Sequence, residues 1–428
     1  MSKLKAVIFG LRDVILRSGK VDVELWQELG SLLHLIQSRG ITPVFLGNRP
    51  WSFVDADGKR IDPEEEITKR WGKFPWYVAI RDGTPLKPTR EATAHILEAH
   101  GWRPEEVIYV GNTIDDMRTA VNGGLLFLNA KWHGEATDYG FDFATPKAIG
   151  RFIDIFCTRD SLWYFKIEDG PLRVYSMGLY STYDDEARRY TEDARSAAKF
   201  GGGTVSFWKQ YLVATLYLSG LCREFNYIAP YPGHASAAKR AVTHDDMIIL
   251  GKCFRKSYLS DLIVRHVTAT KSQTARREGK PLDAKNQLET IHLTRLPLRD
   301  DGGKRYKTSP LSSGKTVLVL DDICTEGYSL DAARNFIQQT GAKAILVSWL
   351  KTPNRAYSRI DIAQRFDPFG PRTFAALPAA KRYLFSDHVA DRKAPQVIGA
   401  CLEAYKSWDW PSEKRVPRDG SGVRRDDH

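Results

Sequence analysis

Two adjacent carboxylates, Asp321 and Asp322, follow an apolar, strand-like run at residues 316–320 and precede helical periodicity at residues 330–339. The stretch between these carboxylates and the predicted helix combines hydroxyls with a glycine: Thr325, Glu326, Gly327, Tyr328 and Ser329. A strand–turn–helix presents free backbone N–H groups and the positive end of a helix dipole, which together bind phosphate. The carboxylates can hold sugar hydroxyls, directly or through Mg²⁺. The segment therefore predicts a site for a phosphorylated sugar.

This order of residues resembles the phosphoribosyl pyrophosphate signature of type I phosphoribosyltransferases: a hydrophobic strand, two acidic residues, then Thr-x-Gly-x-Ser/Thr. Glu326 stands where the family often has Thr, and it adds negative charge beside the phosphate site. The resemblance implies that Asp321 and Asp322 bind Mg²⁺ and stabilise an oxocarbenium-like sugar while pyrophosphate leaves. The acceptor would be a nitrogen of a base, a nucleotide-related metabolite or a nucleic acid. The alternative is an ordinary βα turn with an acidic N-cap.

Two further segments fit this resemblance. In the family, a strand-to-helix loop binds pyrophosphate, and here its residues are Tyr231, Pro232, Gly233, His234, Lys239 and Arg240. The long basic loop at residues 269–285 resembles the mobile hood of the family, with a Thr270-x-x-Gln273 pattern similar to the ComF-like branch. The hood candidates are Lys271, Gln273, Arg276, Arg277 and Lys280. A plain proline-rich turn and a solvated charge run are the alternatives.

A second set of residues lies near the N-terminus. Residues 6–16 resemble the first motif of haloacid dehalogenase (HAD)-like hydrolases, in which a strand delivers an Asp nucleophile and a second Asp follows two residues later. Gly10 and Arg12 occupy those two positions. The remaining motif positions correspond to Asn48, Lys87, Asn112 and Asp116, where Asn112 replaces an acidic metal ligand.

These replacements predict a HAD-like unit without phosphatase activity. Glycine cannot form an aspartyl-phosphate, and Mg²⁺ needs clustered carboxylates that this unit has lost. Asp13 sits on the following turn, and we expect it to point elsewhere. Arg12, Lys87 and Asn48 remain candidates for binding a phosphorylated ligand or a protein partner. A structural or dimerisation role is the alternative.

Alternating strands and helices position both sets of residues. Predicted strands at 6–9, 43–46, 77–80, 107–110 and 125–128 alternate with helices at 23–37, 90–100 and 146–156. A hairpin at 162–177 and helices at 184–199 and 205–221 precede a strand at 227–229 and further alternation to residue 350. We predict an α/β protein of two wound parallel-sheet domains, HAD-like at 1–157 and phosphoribosyltransferase-like at 158–410, followed by a disordered tail at 411–428.

Composition limits the partners and the compartment. The 63 Lys and Arg exceed the 52 Asp and Glu by 11, which favours anionic partners. Scattered cysteines, and the lack of a signal peptide or membrane-spanning run, predict a cytoplasmic protein with reduced thiols. The family resemblance implies a homodimer and suggests nucleotide metabolism, stress response or phage defence. The alternatives to a transferase are a non-catalytic phosphoribosyl pyrophosphate or nucleotide sensor that signals through the HAD-like unit, and nucleic-acid binding, for which no motif is present.

Overall fold

The computed structural model describes residues 3–12, 14–15, 23–54, 58–133, 137, 139–234, 241–269, 284–300 and 302–411. A six-stranded parallel sheet in the N-terminal region has the order β5-β2-β1-β6-β7-β8. Its strands are β1 (Ala6–Gly10), β2 (Thr42–Gly47), β5 (Trp76–Val78), β6 (Val107–Gly111), β7 (Leu126–Ala130) and β8 (Phe141–Phe143), and a small hairpin adds β3 (Phe53–Val54) and β4 (Arg60–Ile61).

Helices connect these parallel strands. They are α1 (Val23–Ser38), α2 (Pro63–Trp71), α3 (Ala79–Asp82), α4 (Arg90–His100), α5 (Ile114–Gly123) and α6 (Pro146–Phe152), with short 3-10 turns at Pro104–Glu106 and Lys131–His133 and a π-helical turn at Ile153–Cys157. Helix α4 has the predicted bounds because Gly101, in the left-handed conformation, ends it. No helix in the described ranges is long and apolar enough to cross a bilayer.

A second six-stranded sheet lies in the C-terminal half. Its order is β12-β11-β15-β16-β10-β9, and all neighbours are parallel except the β9–β10 hairpin. The strands are β9 (Phe165–Asp169), β10 (Leu172–Leu179), β11 (Tyr227–Pro230), β12 (Ser257–Tyr258), β15 (Thr316–Cys324) and β16 (Lys343–Lys351). Two separate hairpins are β13 (Ile263–Arg265) with β14 (Ile291–Leu293), and β17 (Tyr357–Arg359) with β18 (Lys381–Tyr383).

The helices of the C-terminal half complete the described structure. They are α7 (Asp185–Phe200), α8 (Val205–Leu218), α9 (His244–Cys253), α10 (Ala284–Leu288), α11 (Tyr328–Gln339) and α12 (Ala394–Lys406), with 3-10 turns at Leu221–Arg223 and Phe385–His388. The α/β architecture with wound parallel sheets predicted from the sequence is confirmed.

Several predicted strands differ from the observed ones at their ends, and two of these differences have identifiable causes. The run at 77–80 was predicted as strand, but β5 ends at Val78 because the Asp82 carboxylate accepts a hydrogen bond of 2.8 Å from the Val78 N–H and begins a helical turn. The strand predicted at 316–320 continues to Cys324, since its backbone stays paired with β16 as far as Lys351. Asp321 and Asp322 therefore lie within a strand rather than on the turn after it.

The two halves share buried aromatic side chains. Phe156 contacts the rings of Phe207 and Tyr405 at centroid distances of 5.4 and 5.7 Å. The Tyr217 hydroxyl on α8 donates to the Pro104 carbonyl at 2.6 Å. Because side chains from both halves form one apolar cluster, the experiments below use the full chain.

Candidate active site

The turn between β15 and α11 presents a row of backbone N–H groups. Those of residues 325 to 329 make no hydrogen bond to any other residue in the described ranges. Gly327 has a φ of +81°, and a Cβ there would overlap the ring of Tyr357, so glycine is required. The turn, with Asp321 and Gln287, lines a small cavity of about 60 Å³. Unpaired N–H groups at the start of a twelve-residue helix are suited to bind an anion.

The acid pair lies beside this turn. The Asp322 N–H donates to the Asp321 carboxylate at 2.8 Å, and the Ile323 N–H donates to the Asp322 carboxylate at 2.7 Å. Burial, together with the adjacent negative charge of Asp322, raises the pKa of Asp321 well above its usual range. A bound cation or sugar hydroxyls would relieve this repulsion.

The two carboxylates of the acid pair fit a Mg²⁺ ion that is also bound by the substrate. Within the described residues there is no group of three or more His, Cys, Asp or Glu side chains that could hold a metal unaided. Mg²⁺ often binds one or two carboxylates and completes its shell with water and phosphate oxygens. Asp321 and Asp322 would be the protein ligands of such an ion.

The charge added by Glu326 has a partner in the fold. The Arg355 guanidinium lies 3.6 Å from the Glu326 carboxylate. The Glu326 carbonyl also accepts a hydrogen bond of 2.9 Å from the Ser358 N–H. The segment after β16 therefore supports the turn and offsets the negative charge that distinguishes it from the signature.

A buried arginine that the sequence did not indicate holds the predicted pyrophosphate loop. Arg265, at the end of β13, is 3% exposed and donates to the Gly233 carbonyl at 2.6 Å. It also donates to the Gln287 side chain at 3.0 Å and to the Tyr231 hydroxyl at 3.2 Å. The charge of Arg265 opposes the rise in the pKa of Asp321. Nothing in the spacing around Arg265 distinguishes it from other strand residues, because its hydrogen-bond partners come from two segments that are distant in the chain.

Four of the six predicted pyrophosphate-loop residues lie in the described ranges. Tyr231, Pro232, Gly233 and His234 follow β11, the strand beside β15, and the Tyr231 N–H donates to the Leu320 carbonyl at 2.7 Å. Burial raises the pKa of Tyr231 to about 12. The other predicted loop and hood residues lie outside the described ranges: Lys239, Arg240, Lys271, Gln273, Arg276, Arg277 and Lys280.

Three aromatic residues in and just before the β9–β10 hairpin are core residues. Tyr164, Phe165 and Tyr175 are 5%, 0% and 2% exposed. They pack around the β9–β10 hairpin, and the Tyr175 ring lies 5.1 Å from that of Trp163. They are therefore unavailable to a ligand in this conformation.

The N-terminal set of motif residues converges at the ends of β1, β2 and β6. The Lys87 ammonium lies 2.6 Å from the Asp116 carboxylate. Asn48 holds the Lys87 backbone through two hydrogen bonds, of 2.7 and 3.0 Å. The Asn112 amide donates to the Ala130 carbonyl at 2.5 Å. Asp13 lies outside the described ranges.

A curated protein resembles the chain over part of its length. No protein-family profile matches it. The phosphoglycolate phosphatase of Synechococcus elongatus is 24% identical over 110 residues, which are 26% of this chain and 47% of that protein. The chain thus spans about half the length of the curated relative it matches.

Similar solved structures include a HAD-superfamily hydrolase of subfamily IA, variant 1, from Geobacter sulfurreducens PCA, with 14% identity, 36% of this chain and 100% of that chain covered, and a TM-score of 0.25. The UMP synthase of Leishmania donovani matches at 12% identity over 82% of this chain and 86% of that chain, with a TM-score of 0.17. The match to a curated phosphatase and the parallel order of the first sheet agree with the HAD-like resemblance that the motif residues indicated. The N-terminal region has a HAD-like hydrolase fold.

In this HAD-like region, the side chain of Asp116 fills the space beside Gly10. A Cβ built on Gly10 would lie 2.5 Å from Oδ1 of Asp116. Asp116 is fully buried and accepts hydrogen bonds of 2.8 Å from both the Tyr109 and Thr113 hydroxyls. Burial opposes its ionisation, but the Lys87 ammonium and these donors outweigh burial and lower the pKa of Asp116.

A cavity of about 450 Å³ lies in front of this HAD-like centre. The cationic residues Arg12, Arg49 and Lys87 line it, and Asp115 contributes one carboxylate. Arg12 and Arg49 are exposed, whereas Lys87 is engaged with Asp116. The rim therefore carries more positive than negative charge.

Replacing Lys87 by Met is expected to destabilise the HAD-like region by about 3–5 kcal/mol, because Asp116 would become a buried charge without its partner. The lowered pKa of Asp116 means that the pair stabilises the fold above the unfolded-state pKa, near 4, and that this stabilisation is lost as pH falls through the folded-state pKa. Urea unfolding at pH 7 and at lower pH measures the loss, which should shrink on acidification. Lys131→Met is the control, because its pair with Asp142 is exposed and is expected to contribute below about 1 kcal/mol. Equal losses for both variants would contradict the account.

Proposed function

We propose that the protein transfers a phosphoribosyl group from phosphoribosyl pyrophosphate to a nitrogen acceptor and releases pyrophosphate. The observation that carries this proposal is the row of unpaired N–H groups at residues 325 to 329 beside the Asp321–Asp322 pair. The first binds a phosphate, and the second binds a sugar or its cation, so together they match the two ends of a ribose 5-phosphate. The location at the carboxyl end of a central parallel strand agrees with ligand binding in open α/β sheets.

Each group has a role in the proposed step. The N–H groups of the turn and the hydroxyls of Thr325 and Ser329 hold the 5′-phosphate. The bond between the anomeric carbon and pyrophosphate breaks with its electron pair on the departing oxygen. A nitrogen lone pair of the acceptor then forms the new bond to the anomeric carbon, and that nitrogen loses its proton to solvent. Asp321 and Asp322 stabilise the positive charge that develops on the sugar ring. Bound Mg²⁺ would neutralise charge on the pyrophosphate.

We propose that the HAD-like region has no phosphatase activity of its own. Gly10 supplies no nucleophile, and Asp116 is held by Lys87 in the adjacent space. The matched phosphatase is a whole protein of which this chain covers less than half. The HAD-like region then serves as a structural or ligand-binding partner of the C-terminal half.

The test is pyrophosphate release by the full chain with phosphoribosyl pyrophosphate, Mg²⁺ and a panel of bases, amines, nucleotides and tRNA. Acceptor-dependent release that is lost in the Asp321→Asn/Asp322→Asn double variant is the expected result. Mg²⁺-dependent binding without release in the presence of any acceptor would contradict the transferase and support a sensor that signals through the HAD-like region. The absence of both ligand binding and pyrophosphate release would contradict the transferase and the sensor alike.

A further inference from the structure

A fully buried lysine contacts the turn between β15 and α11. Lys351 is the last residue of β16 and is 0% exposed. Its ammonium donates to the Thr325 carbonyl at 2.6 Å, to the Arg355 carbonyl at 2.7 Å and to the Thr352 carbonyl at 3.0 Å. One side chain therefore ties the turn to the segment that follows β16.

The surroundings of Lys351 are apolar on the other side. The rings of Phe165 and Phe385 lie 5.3 and 5.6 Å from its ammonium. Across the described ranges no carboxylate lies within ion-pairing distance of it. Burial lowers the pKa of Lys351, and the nearby Glu326 charge opposes this shift. Burying an ammonium among neutral partners is unfavourable, so its contacts with the carbonyls are what hold it in place.

The contact with Thr325 determines where the next N–H points. The Thr325–Glu326 peptide is trans, and in a planar trans peptide the C=O and N–H point in opposite directions. The Thr325 carbonyl is directed at Lys351, which does not line the cavity, whereas Thr325 and Glu326 do. The N–H of Glu326 is thereby directed away from Lys351.

We infer that Lys351 is a positioning residue that orients the Thr325–Glu326 peptide so that the Glu326 N–H donates to the bound phosphate. The inference rests on the proposed function and adds a residue outside the recognised signature. Lys351 does not touch the ligand. It acts through a carbonyl of the turn, and its ammonium also restrains the segment that carries the partner of Glu326, Arg355.

Calorimetric titration of the full chain with phosphoribosyl pyrophosphate and Mg²⁺ tests this role. Lys351→Met should weaken binding by at least about tenfold, because one charge-oriented donor is lost. Lys351→Gln, which keeps a neutral donor, should lie between Lys351→Met and the wild type, and it replaces the Met variant if that one does not fold. The matched control is Arg159→Met, because Arg159 is a buried cation that donates to the Phe156 carbonyl at 3.0 Å, away from the turn. It should bind within about twofold of wild type. Wild-type affinity in both folded Lys351 variants would overturn the inference.

Crystal structures of the Lys351 variants separate this inference from the proposed function. If the Thr325–Glu326 peptide is rotated in the variants, or adopts more than one conformation, the positioning role is supported even if the wild type binds no phosphoribosyl pyrophosphate. An unchanged peptide in the same variants overturns the role even if the wild type binds the ligand tightly. Failure of the wild type to bind counts against the proposed function alone.

Discussion

Asp321→Asn is expected to reduce phosphoribosyl transfer by about 10²–10³-fold, the size of effect seen when one preorganised electrostatic group is removed from a reacting centre. The same variant is expected to unfold at a higher temperature than the wild type at pH 7. Burial and the adjacent Asp322 carboxylate oppose the ionisation of Asp321, and its pKa is raised in the fold. Such a group stabilises the fold below its unfolded-state pKa, near 4, and that contribution is lost as pH rises to the folded-state pKa. Removing the charge at neutral pH therefore stabilises the protein, by about 1 kcal/mol.

Thermal unfolding and pyrophosphate release should be followed together for this variant. The gain in Tm should disappear near pH 4, where Asp321 of the wild type is protonated. Asp367→Asn is the matched control in the same half of the chain, because the Asp367 carboxylate is 62% exposed, and it should change neither quantity. Loss of activity with a lower Tm would mean that Asp321 has a structural role, which would contradict its assignment to the site.

Gly10→Asp restores the carboxylate expected of a HAD-like nucleophile, yet we expect it to gain no phosphatase activity. The new side chain would begin 2.5 Å from Oδ1 of Asp116, which is fully buried and paired with Lys87. A second carboxylate in this space repels the first and competes for one ammonium. We expect a loss of about 3–5 kcal/mol in the free energy of unfolding.

Hydrolysis of p-nitrophenyl phosphate and urea unfolding measure the two outcomes for Gly10→Asp. Gly10→Ala separates size from charge and should lose less stability, about 1–3 kcal/mol from overpacking. Gly370→Ala is the control, because no atom lies within 4 Å of a Cβ at that position. Phosphatase turnover by Gly10→Asp, or stability equal to wild type, would show that Asp116 does not block the centre.

Local signals predicted the elements on which the sites are built. Helix α4 was predicted with its observed bounds because apolar periodicity and Gly101 both act within a few residues. The acid pair and Gly327 were found because strand, turn and helix follow one another in the chain. The helical turn at Ala79–Asp82 was missed because a single carboxylate, Asp82, accepts from Val78 and overrides the β-propensity of the apolar run.

Contacts between distant segments could not be predicted from one sequence. The cavity is bordered by a network in which Arg265 meets Tyr231 and Gln287, residues 34 and 22 positions away. Lys351 looks like an ordinary end of a strand until its backbone pairs with Cys324 and brings its ammonium under Thr325. The residues that support a site are thus harder to find than those that line it, because long-range packing alone selects them.

A calorimetric titration of the full chain with phosphoribosyl pyrophosphate, in the presence and absence of Mg²⁺, tests the proposed ligand site most directly. We expect saturable binding at one site per chain, weakened at least about tenfold without Mg²⁺ and by the Asp321→Asn/Asp322→Asn double variant. Absence of binding at about millimolar ligand, or binding that is unchanged in the double variant, would contradict the assignment of the turn and the acid pair to this ligand.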